Sequence, residues 1–70
     1  MIMQIWKLKK VMEQTGLGRS SIYRLIKKGS FPKPVPLGIR AVGWVATEIN
    51  GWIEDRIRER DAATRELVQG

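Results

Sequence analysis

"GLGRSSIYRLIKKG", residues 16–29, reads as a short helix held between glycines. At 100° per residue, Ile22, Leu25 and Ile26 fall on one side of it, and Ser20, Arg24 and Lys27 cluster on the other, with Tyr23 and Lys28 at the borders. The spacing predicts a helix from about Arg19 to Lys28. Gly29 suits the position just past its end. Gly18 stands at the N-cap, where Ser, Asp or Asn would serve better and Gly is tolerated. The apolar side needs a core, and the basic side is free to meet something negatively charged.

Toward the N-terminus, Leu8, Val11, Met12 and Thr15 recur at helical spacing with Lys9, Lys10, Glu13 and Gln14 opposite. Gly16 ends this segment and Leu17 follows as a turn residue, so the order is helix, three-residue turn, helix. Ahead of it, Ile2, Ile5 and Trp6 suit either a short leading strand or an extended arm.

Toward the C-terminus, "FPKPVPLG", residues 31–38, excludes helix, because three alternate prolines fix φ and remove three donors. Phe31, Val35 and Leu37 can anchor a turn and feed an edge strand. Residues 38–41 then form a loop and Val42-Gly43-Trp44 a returning strand, which makes a small hairpin with Arg40 near its tip. A third helix begins near Ala46, with Ile49, Trp52, Ile53 and Ile57 as an inward stripe. Glu54–Arg58 and Asp61–Arg65 stand at i, i+4 on its solvated face. Apolar density falls beyond Arg60. The expected organisation is one domain over residues 1–60 and a tail over 61–70 that is frayed helix or disordered. The fold class is mainly α with a small β-hairpin: a winged helix-turn-helix of three helices and a two-stranded wing.

Charge sharpens the reading. The 70 residues carry a net +6, but unevenly. Residues 1–47 hold nine Lys or Arg against Glu13 alone, +8, whereas residues 48–70 hold four Arg against six acids, −2. Such asymmetry points to a polyanion, nucleic acid above all, rather than to a merely solvated surface. An enzyme is not expected: there is no His or Cys, and no acid but Glu13 before residue 48 to build an acid–base or nucleophile–base pair beside the basic surface. No metal-ligand spacing and no cofactor motif occurs. No membrane-length apolar run or signal-peptide pattern is present, and a cysteine-free chain suits a reducing cytoplasm, which gives a cytoplasmic, nucleoid-associated protein as the expectation.

In a helix-turn-helix the second helix enters the major groove. Arg24 can fork onto guanine or grip phosphate, Lys27 and Lys28 extend the basic edge, and Arg40 can reach an adjacent groove or strand. Ser20 and Ser21 are either short donors to DNA or helix-capping groups. Tyr23 either packs partly into the core or lies against the sugar-phosphate backbone. Lys9 and Lys10 are read as solvated, and Trp44 and Trp52 as core.

Residues 8–56, about two thirds of the chain, resemble the AlpA family of small phage and prophage transcriptional regulators. The signatures are "TGLGRSSIYR", "GSFPKPVPLG", "RAVGW" and "EINGWI", in that order. The resemblance implies a DNA-binding fold related to MerR and excisionase domains, with the second helix in the major groove and the hairpin as a wing. Carried onto this chain, those roles fall on Arg19, Ser20, Ser21, Tyr23, Arg24 and Lys27, and on Arg40 for the wing. Gly18 departs from the family's usual capping serine. The expected function is a sequence-specific regulator of prophage or integrated-element genes. The alternatives are an excisionase that assists a phage integrase and, from a different class, a protein-interaction module such as an antirepressor. Self-association on tandem sites, an integrase and RNA polymerase are the candidate protein partners.

Overall fold

A computed structural model describes the backbone of residues 3–69 and the side chains of residues 3–64. Its elements are β1 (Ile5–Trp6), α1 (Leu8–Thr15), α2 (Arg19–Lys28), β2 (Val35–Gly38), β3 (Ala41–Val45) and α3 (Ala46–Gln69). The three strands form one antiparallel sheet in the order β1-β3-β2. The chain is therefore mainly helical with a small β wing.

The two glycine stops act as expected from their chemistry. Gly16 (φ 74°) and Gly29 (φ 78°) both adopt the left-handed conformation that an L side chain resists. At the end of α1 the Gly16 N–H donates to the Met12 carbonyl at 2.8 Å. The Thr15 hydroxyl donates to the Val11 carbonyl and accepts the Leu17 N–H, which fixes the turn into α2. At the end of α2 the Gly29 and Ser30 amides reach back to the Ile26 and Leu25 carbonyls, at 3.0 and 2.9 Å. These bonds satisfy acceptors that the last turn would otherwise leave open.

Five buried residues build the core, one each from α1, α2, β3 and α3 and one from the segment before β2: Val11, Ile22, Trp44, Ile49 and Phe31, with Ala46 also buried. Trp6, Leu8, Met12, Leu17, Leu25, Ile26, Trp52 and Ile53 close around them. The proline segment is stapled by two indoles. Trp44 Nε1 donates to the Pro32 carbonyl at 3.1 Å, and Trp52 Nε1 to the Ser30 carbonyl at 2.7 Å. The Phe31 ring meets Trp52 edge-on, 4.9 Å between centroids. Pro36 sits in β2, an edge strand, where its missing donor costs no ladder bond.

The sheet has one strand more than the two-stranded wing expected from sequence. Ile5 and Trp6 pair with Val45 and Trp44, and the Ala46 N–H donates to the Gln4 carbonyl at 2.9 Å. This pairing occupies the second edge of β3 and ties the start of the chain to the start of α3. It needs Gly43: a Cβ there would collide with the Ile5 side chain and stand 3.1 Å from Leu37 Cδ1.

Two apolar assignments on α3 change. Trp52 is half-buried at the rim of the core, held by its hydrogen bond and by Arg56 stacked 4.9 Å from its ring. Ile57 is 43% exposed, because the surface under the helix ends near Ile53. From Glu54 to Thr64 every residue is exposed, and the helix continues past the body to Gln69. At ~1.5 Å per residue a helix of this length spans about 36 Å, which accounts for the elongated 53 × 31 × 19 Å envelope.

Candidate nucleic-acid interface

The inner side of α2 is fixed by Ile22, fully buried, and by half-buried Leu25 and Ile26. That anchoring sets the direction of every other side chain on the helix. Ser20, Arg24 and Lys27 project opposite Ile22, and all three are exposed, as are Arg19 and Lys28. Ser21 lies some 100° from Ile22 and is half-buried, so the two serines that adjoin in sequence part company in space. Neither hydroxyl caps the helix. The N-cap is Gly18 in extended conformation, with no side-chain bond to the free amides of the first turn. Those amides and Arg19 together leave the start of α2 positive and unsatisfied, with no acid in its first turn.

Tyr23 packs partly against the core and stays open to solvent. Its ring meets Trp44 edge-on, 6.4 Å between centroids at 65°, while the residue stays 44% exposed. It thus links the outward face of α2 to β3, the returning strand of the hairpin. Arg40 occupies the hairpin turn with Ile39, between paired Gly38 and Ala41, and is exposed. Lys10 is differently engaged from its neighbour Lys9: its ammonium lies 5.8 Å from the Trp6 ring centroid.

The electrostatic arrangement follows from which cations have partners. Among the described residues all three ion pairs lie on α3: Arg56 with Glu59, Arg58 with Asp55 at 3.2 Å, and Arg60 with Asp61 at 2.8 Å. The first two join residues three apart, in place of the i, i+4 pairing of Glu54 with Arg58 expected from sequence; Arg65 lies outside the described side chains. None of the cations on α2 or in the hairpin is paired among the described residues. The structure thus gathers Arg19, Ser20, Tyr23, Arg24, Lys27 and Lys28 on the exposed part of one short helix. Ser21 is turned partly inward, and Arg40 stands apart on the hairpin. Among the described residues no cluster of His, Cys, Asp or Glu could hold a metal ion, and no helix is long and apolar enough to cross a membrane.

A short turn between α1 and α2, a third helix beneath them and a small sheet with an exposed hairpin define a winged helix-turn-helix protein. More narrowly, the chain belongs to the AlpA family, whose model, described as prophage CP4-57 regulatory protein (AlpA), matches residues 4–57. It is 44% identical over 54 residues to an uncharacterised protein, ORF88, of Enterobacteria phage P4. That match covers 77% of this chain and 61% of the phage protein. It is also 34% identical over 61 residues to the DNA-binding transcriptional activator AlpA of Escherichia coli K12, covering 79% of this chain and 87% of that one. The chain thus spans less than two thirds of the phage P4 protein's length.

Proposed function

We propose that this protein is a sequence-specific double-stranded DNA-binding regulator of prophage or integrated-element genes. It acts by binding rather than catalysis, and α2 is its major-groove helix. The observation that carries the reading is the outward face of α2, where exposed cations stand without partners among the described residues. Arg24 and Lys27, with Ser20 beside them, project where a helix in the groove would meet base edges, and Arg24 forks onto a guanine. Arg19 and Lys28 take phosphates at the two ends of the helix, and Lys28 with Lys27 also complements the negative end of its dipole. Tyr23 sets its exposed edge against the backbone, and Arg40 takes the adjacent strand or groove. Half-buried Ser21 has a supporting place at the flank.

The family and the E. coli relative's described role support this reading. A ten-residue helix reads few base pairs. Useful selectivity therefore calls for tandem sites or self-association, in the cytoplasm where the nucleoid is accessible. The test is selection of bound duplexes from a random pool, with the recovered sites mapped to the host genome. A defined consensus beside promoters supports the regulator. Sites clustered within an attachment region would replace it with an integrase-assisting excisionase, and recovery of no consensus would remove sequence-specific binding.

A further inference from the structure

The tip of the β2–β3 hairpin departs from turn chemistry. Two-residue turns favour glycine, asparagine or aspartate, yet the residues between paired Gly38 and Ala41 are Ile39 and Arg40. Neither adopts a positive φ. Ile39 is 101% exposed, so its whole side chain stands in water and supports nothing in the fold. A single exposed apolar residue is ordinary. This one is at the apex of a projection, with exposed Leu37 and Val42 behind it and a guanidinium beside it.

The apex is also well placed relative to α2. Trp44 of β3 touches Tyr23 of α2, and Val42, two residues nearer the tip, lies on the same face of the strand. Four residues of strand from Trp44 to Arg40 cover about 13 Å. Half of the ~34 Å repeat of duplex DNA is about 17 Å, the step from one groove to the next. That reach, taken from the Trp44–Tyr23 contact, is of the order of the groove step, so with α2 in the major groove the tip can meet the adjacent minor groove.

We propose that Ile39 is an apolar wedge for the minor groove of double-stranded DNA, entering between two base pairs and partly unstacking them while Arg40 holds the flanking backbone. The proposal rests on the DNA-binding reading above and adds to it a residue and a mode of selection. Isoleucine is among the side chains that serve as minor-groove wedges. Ile39 stands farthest out, with exposed Leu37 and Val42 behind it, and no acid lies between Glu13 and Glu48 to repel phosphate. Unstacking costs least at pyrimidine–purine steps. The wedge therefore selects TA or CA/TG at its position without a hydrogen bond to either base, and it bends the site.

The experiment uses duplexes recovered from a random pool, labelled at both ends for energy transfer, with the full chain and its Ile39→Asn, Ile39→Met and Arg40→Ala variants. Asparagine suits a turn, so Ile39→Asn should melt like the parent. The wedge predicts that this variant binds about tenfold more weakly, the scale of one apolar side chain returned to water. It also predicts that the bend and the enrichment of the flexible step in a re-selected pool are both lost. Ile39→Met should keep the bend, and Arg40→Ala should lose affinity on all duplexes alike. If Ile39→Asn binds and bends like the parent while Arg24→Ala still weakens binding, the wedge is overturned and the tip belongs to a protein partner. If the parent binds no duplex at all, the DNA reading beneath the proposal fails instead.

Discussion

The helices α2 and α3 are both amphipathic and both rich in arginine or lysine, yet their outer faces are built oppositely. On α3, Arg56, Arg58 and Arg60 each meet an acid on the same helix, and the face neutralises itself. On α2 the outer face has Arg24, Lys27 and Lys28 and no acid anywhere in the helix. Exposed ion pairs contribute little to stability, about 0–1 kcal/mol each. The pairs on α3 thus matter mainly as a way of carrying charge on a solvated surface without attracting polyanions. The lesson is that a count of cations does not separate the two helices, while asking which cations already meet an acid singles out the face proposed for DNA.

The comparison depends first on α2 being held with its apolar side inward. Trp44 is fully buried, bonds the Pro32 carbonyl and touches Tyr23. Trp44→Ala should cost about 3–5 kcal/mol, enough to unfold a domain of this size. A thermal melt that stayed cooperative with a near-parent midpoint would mean that something else orients the helix.

Charge reversal tests the contrast itself. Arg24→Glu with Lys27→Glu should weaken DNA binding by about 2–4 kcal/mol, through lost contacts and added repulsion. Arg56→Glu with Arg58→Glu on α3 should change it by less than about 0.5 kcal/mol. Equal losses from the two pairs, measured on one duplex, would erase the distinction.

A smaller effect probes the rim between the two regions. Trp52 is half-buried and bonds the Ser30 carbonyl, so Trp52→Ala should cost about 1–2 kcal/mol of stability, less than Trp44→Ala. Chemical denaturation of both variants ranks them, and the reverse order would put the centre of the core under α3. The smallest effect concerns the end of α3. A chain ending at Arg60 should lose less than about 0.5 kcal/mol, since the described side chains beyond it, residues 61–64, are exposed. A large drop in melting temperature would show that the proposed boundary at residue 60 cuts into the domain.

Much of this arrangement is legible in the sequence because local chemistry decides it. Gly16 and Gly29 end α1 and α2 where a left-handed residue is required, and the period of Ile22, Leu25 and Ile26 sets the inner face of α2. The outward direction of Ser20, Arg24 and Lys27 follows from that period alone. The third strand is legible only in part: Ile5 and Trp6 suit a short strand or an extended arm, and the open edge of β3, which the sequence does not show, decides between them. The exposure of Ile57 is missed for a related reason. Periodicity shows which face of a helix is apolar but not where the surface beneath it stops. The bonds from Trp44 and Trp52 to carbonyls 12 and 22 residues away leave no sequence signal at all.

The most direct test of the central claim is the salt dependence of DNA binding, measured for the parent chain and for Arg24→Ala with Lys27→Ala. If the unpaired cations of α2 and the wing neutralise roughly three to six phosphates, log K should fall against log salt with a slope of about −3 to −5. Any cation that meets phosphate should take about 1 from the slope when removed, whereas one that meets only a base should lower affinity with little change in slope. The placement of Arg24 and Lys27 at base edges, with the phosphates left to the other cations, predicts a steep parent slope and, for the double variant, weaker binding with little change in slope. A parent slope near zero, or a double variant with the parent's affinity, would contradict it.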